Sequence, residues 1–88
     1  MAVDRKYGLV ILEHGDIGED EPVVVFRAKD KLLPELLYKY LHLCSESGSP
    51  ERHLDLIRAS YGSIREWQDA HPDNVRTPTS EASKSWMD

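Results

Sequence analysis

Four histidines, one cysteine and a short run of acids are the residues of this chain most able to do chemistry. A protein metal site needs three or four donors converging on one point. His42 and Cys44 stand two apart in a segment of helical spacing, so their side chains diverge by about 200° and cannot share an ion. His14 and Asp16 flank Gly15 in a loop, but His53 and His71 lie far from them in sequence. The donors therefore predict no metal and no cofactor. Cys44 has no second cysteine to pair with, which agrees with a reducing compartment. It falls on the apolar side of its segment, near a helix C-terminus where the dipole disfavours a thiolate. A small hydrophobe is the reading that follows, and no catalytic residue is assigned.

Asp16, Glu19, Asp20 and Glu21 are the densest charge cluster. Their spacing does not match a calcium loop, which needs alternating oxygen ligands, a glycine at the sixth position and a glutamate at the twelfth. Such a cluster either keeps a sheet end in water or faces a basic partner. Arg27-Ala-Lys-Asp-Lys31 is the one basic knot, and three cations broken by an acid are too few for a nucleic-acid footprint. With a net charge of −5, direct nucleic-acid binding is disfavoured. Arg27 and Lys31 suit snorkelling over the strands or pairing with the acidic loop. Trp86, beside Met87 in polar surroundings, is the kind of isolated aromatic that anchors a partner or a second subunit. The candidate partner-binding residues are thus Asp16, Glu19, Asp20, Glu21 and Trp86.

The elements that must position these groups follow from periodicity. Tyr7–Leu12 is a short, β-branched apolar run and reads as a strand. A glycine- and acid-rich loop leads to Pro22 and a second strand over Val23–Phe26, and the two are expected to pair as an antiparallel hairpin. From Asp30 to Cys44 the apolar period changes to three and four, predicting a helix capped by Asp30 with Pro34 in its first turn and Gly48 at its end. Ser49-Pro50-Glu51 predicts a second start, with Ser49 as cap and Pro50 as first residue. Leu54, Ile57, Tyr61, Ile64 and Trp67 form its apolar face, and Pro72 ends it by His71. Gly62, inside this helix, suggests close packing or a slight bend.

The expected fold is α+β, a β-hairpin packed on two helices in the order β-β-α-α. It forms one domain over residues 1–72, with a flexible polar tail over 73–88. No apolar run approaches the roughly 18 residues of a membrane span. The charged N-terminus and short apolar run do not make a secretory signal, so the expected setting is cytoplasmic. In the first helix, Leu32, Leu33, Leu36, Leu37, Tyr40, Leu41, Leu43 and Cys44 cover an arc of about 180°, wider than one core requires. That excess, with unpaired strand edges, predicts a homodimer.

The string Glu21-Pro-Val-Val-Val-Phe-Arg-Ala-Lys-Asp-Lys-Leu-Leu-Pro34, then a leucine/tyrosine helix, Gly48-Ser-Pro-Glu51 and Glu66-Trp-Gln68, resembles short uncharacterised proteins of bacteria and their phages. The resemblance spans roughly residues 20 to 70 and implies a phage- or prophage-associated accessory protein; it brings no activity and no catalytic residues. The function expected is a non-enzymatic protein–protein interaction module. The alternatives are a small enzyme whose site assembles between subunits from groups such as His14, Asp16 and Arg27, and an acidic inhibitor that mimics nucleic acid.

Overall fold

The computed structural model describes residues 2–18 and 20–78, and the chain divides into two compact units, one running to Phe26 and one over Arg27–Thr77. The class is α+β, with strands preceding helices. Where the sequence reads as one domain over 1–72, the division falls between Phe26 and Arg27.

The first unit holds three short strands: β1 (Ala2–Asp4), β2 (Gly8–Val10) and β3 (Pro22–Val23), in the order β2-β1-β3. β1 and β2 are antiparallel, pairing Ala2 with Val10, Val3 with Leu9 and Asp4 with Gly8. β3 runs parallel to β1 on its other side, with Val3 opposite Pro22. The first expected strand contains β2, the second overlaps β3 only at Val23, with Val24–Phe26 outside any strand, and the two flank β1 rather than each other. The reason is local. Asp4 turns the chain within three residues, its Oδ1 accepting from the amides of Lys6 (2.8 Å) and Tyr7 (2.7 Å), and Gly8 takes φ +88° as the strand resumes. The hairpin thus forms between β1 and β2, and the long acidic loop crosses to the far edge.

The second unit is a helical pair, α1 (Leu33–Glu46) and α2 (Glu51–Ala70), followed by a 3-10 turn at Pro72–Asn74. Asp30 is not the cap of α1. Its Oδ1 accepts from the amide of Leu32, which occupies the capping position itself. The helix ends in a Schellman turn: Gly48 at φ +81° donates to the carbonyl of Ser45, and Ser49 to that of Cys44. Pro50 (ψ 147°) is the capping residue of α2, its carbonyl accepting from the amides of His53 and Leu54, so Ser49 stands one position too early to cap. Cys44, Leu54 and Ile57 form the core, with Leu41 against it, and Leu33 is buried at the start of α1. A Cβ at Gly62 would meet open space, so close packing is not its role.

The chain does not leave this unit at Pro72. Arg76 forms an isolated parallel bridge to Asp30, donating to the carbonyl of Lys29 and accepting from the amide of Lys31. The Gln68 side chain donates to the carbonyls of Ala28 and Asp30, both at 2.9 Å. The strand-to-helix junction is thus tied to both α2 and the segment after it. Residues 79–88, the rest of the expected tail, lie outside the described residues.

Candidate protein-binding face

At 100° per residue, Leu33, Leu37, Leu41 and Cys44 line up along the buried side of α1. Leu32, Leu36, Tyr40 and Leu43 form a second apolar line about 100° round from it, and they remain 43–60% exposed. The Tyr40 ring meets the His53 ring of α2 edge-on at 6.2 Å, so these two residues share one side of the helical pair. Leu56, one turn beyond His53, continues that side and is 59% exposed. α1 thus carries an exposed apolar line, with His53 and Leu56 of α2 on the side that Tyr40 faces.

Polar groups border this face. Glu35 and Lys39 pair at 3.8 Å along one rim. The far side of α2 carries Glu51, Asp55 and Arg58, with one guanidinium nitrogen 2.8 Å and 2.7 Å from the two carboxylates. Those bonds, the one to Glu51 foremost, raise the pKa of Arg58. On the apolar side, the Tyr40 phenol is pushed above its ordinary value, chiefly by its hydrogen bond with the Cys44 thiol.

The sequence-derived candidates fall elsewhere. Asp16, Asp20 and Glu21 are exposed; the Glu21 Oε1 accepts from the Gly18 amide at 3.4 Å on the surface, and its carbonyl accepts from Val3. Glu19 and Trp86 lie outside the described residues. His14 is exposed on the same loop, whereas Arg27 belongs to the helical unit. The other three histidines each meet an aromatic ring: His42 on Tyr38, His53 on Tyr40 and His71 stacked on Trp67 at 4.3 Å. His71 Nδ1 also lies 2.8 Å from the Trp67 carbonyl and donates to it. Among the described residues no three His, Cys, Asp or Glu side chains group to hold a metal ion. No helix among them is long and apolar enough to cross a membrane.

Asp4 was invisible to sequence reasoning. It is 4% exposed and accepts three backbone hydrogen bonds, from Lys6, from Tyr7 and, through Oδ2, from Val25 at 2.6 Å. These donors favour the ionised form, the Tyr7 amide most of all, and hold its pKa below the usual carboxylate value against the opposing effect of burial. The signal available was an aspartate two and three residues ahead of turn amides that its side chain can cap, hidden in what looks like a merely charged terminus. Compared with protein-family models, curated proteins and solved structures, the chain matches none.

Proposed function

We propose that this chain is a non-enzymatic protein–protein interaction module whose helical pair binds its partner along Leu32, Leu36, Tyr40, Leu43 and Leu56. The observation that carries this reading is the exposed second line of α1. Half-exposed leucines and a tyrosine gain about 1 kcal/mol each when covered, and a contiguous apolar patch of a few hundred Å² is characteristic of binding surfaces. The spacing of three and four residues suits an amphipathic partner helix with apolar anchors one turn apart, laid along α1 with its charges toward Glu35 and Lys39. The phage-accessory role implied by the sequence resemblance and the cytoplasmic setting expected from the sequence are retained as part of the proposal.

Photo-crosslinking tests it. A crosslinking residue at Leu43 should give an adduct that maps to a helical segment of one partner and disappears with Leu36→Glu. The same probe at Asp55, on the opposite side of the pair, should not. Equal adducts from both positions, or none from Leu43 in a chain that retains its helical circular dichroism, would reject this face.

A further inference from the structure

The strand unit carries a second surface, independent of the helical face. Hydrogen-bond direction alternates along a strand. The amide of Val3 donates to the carbonyl of Glu21 beside β3, so Val3 turns its polar groups toward β3, and its neighbours Ala2 and Asp4 turn theirs toward β2. Their partners in β2 are Val10 and Gly8. It follows that the N–H and C=O of Leu9 point away from β1; Ile11, one residue past the end of β2, has the same parity. Among the described residues no strand lies against this edge, since β2 is an outer strand of the sheet. The side chains of Leu9 and Ile11 are also 66% and 77% exposed. Bare edges with exposed apolar side chains invite another strand.

We propose that β2 pairs antiparallel with β2 of a second copy of this chain, with Val10 on the two-fold axis. In that register Leu9 faces Ile11 of the second copy and Ile11 faces Leu9. With β2 extended through Ile11 on pairing, both residues present their polar groups outward, so each pair exchanges two backbone hydrogen bonds. The four side chains lie on one face of the joined sheet as cross-strand neighbours. A shift of one residue would set outward groups against inward ones and lose the bonds.

Charge selects both the occupant and its direction. The strand is basic at its start (Arg5, Lys6) and acidic after its end (Glu13, Asp16). Antiparallel self-pairing brings the basic end of each copy to the acidic end of the other, whereas a parallel arrangement would set like charges together. The contact closes on itself as a two-fold interface, giving one dimer and no filament along this edge.

Light scattering on the full chain should show a mass approaching twice 10.1 kDa as concentration rises through the micromolar range. Ile11→Lys should weaken the dimer at least tenfold. Lys6→Glu and Glu13→Lys should each weaken it roughly threefold at low salt, and the double variant should recover it. Val10→Cys gives the register directly. Paired residues on the axis that do not exchange hydrogen bonds lie about 4.5 Å apart, within disulfide reach, so this variant should oxidise to a covalent dimer. Leu12→Cys, four residues out of register and about 13 Å from its mate, should not. A mass that stays at 10.1 kDa, a dimer indifferent to Ile11→Lys, or cross-linking from Leu12→Cys as fast as from Val10→Cys would overturn the proposal. Loss of partner adducts at Leu43 would leave it standing, because the two surfaces share no residue.

Discussion

In the unit that runs to Phe26 the most buried of the described residues are Ala2 and Asp4, whereas in Arg27–Thr77 they are Leu33, Cys44, Leu54 and Ile57. The helical unit is held by apolar side chains packed between two helices, with its ion pairs outside. The strand unit is organised the other way round: a carboxylate lies inside, bonded to three amides, while Leu9, Ile11, Val24 and Phe26 stay exposed. Hydrophobic burial is tolerant of small shifts, but a buried charge depends on every one of its donors. One unit should therefore answer to methylenes, the other to protons.

The largest effect should come from the helical core. Ile57→Ala removes aliphatic volume from a site only 6% exposed and should cost about 2–5 kcal/mol, read by urea denaturation at 222 nm. A loss under about 0.5 kcal/mol would mean that the helical unit is not held by its side chains. The corresponding break in the strand unit is Asp4→Asn, which puts an amide N–H against backbone N–H groups. Amide-exchange protection at Lys6, Tyr7 and Val25 should collapse while helical circular dichroism persists. Protection that survives would remove Asp4 from its central role.

Acid gives the same contrast without mutation. The native pKa of Asp4 lies below its ordinary value of 3.8, so its contribution is complete above about pH 4 and fades as pH falls through the lower native value. Protection of the same three amides, taken relative to the free-peptide exchange rate at each pH, should fall over that window, and Asp4→Asn should abolish this pH dependence of protection. Protection in the parent chain that does not change with pH would contradict the assignment.

Smaller effects sharpen the account of the helical unit. Gln68→Ala leaves two carbonyls without their side-chain donor and should cost about 1–2 kcal/mol. Gly62→Ala, with open space around the new methyl, should stabilise α2 by about 0.5–1 kcal/mol. Lys39→Ala, which breaks an exposed pair with Glu35, should fall within about 0.5 kcal/mol of zero. A destabilising Gly62→Ala would reveal a neighbour that the open space does not suggest.

This contrast also explains what the sequence made legible. Helical period needs ten or more residues to declare itself, and Leu33–Cys44 and Leu54–Trp67 supply them, with Gly48 and Pro50 as punctuation. The excess apolar arc of α1 was visible for the same reason, and half of it is the exposed line at Leu32, Leu36, Tyr40 and Leu43. β1 is three residues long and ends in a buried charge, so neither alternation nor composition marks it. Its pairing with both other strands could not be read from their patterns alone. Ser49 looked like a cap because its type suits one, but α2 begins at Glu51 with Pro50 in the capping position. The acidic residues were conspicuous by density, whereas the carboxylate that matters to the local architecture stands apart from them at Asp4.

The bridge between Arg76 and the Lys29–Lys31 backbone has a consequence for modularity. It brings the entrance and exit of the helical pair side by side, so the unit occupies its chain as a closed detour. Segments with adjoining ends can be inserted into a surface loop of another protein, or reconnected in a new chain order, without stretching either partner. Residues 27–77 are therefore suited to be moved as one piece, carrying their apolar face to whatever scaffold receives them.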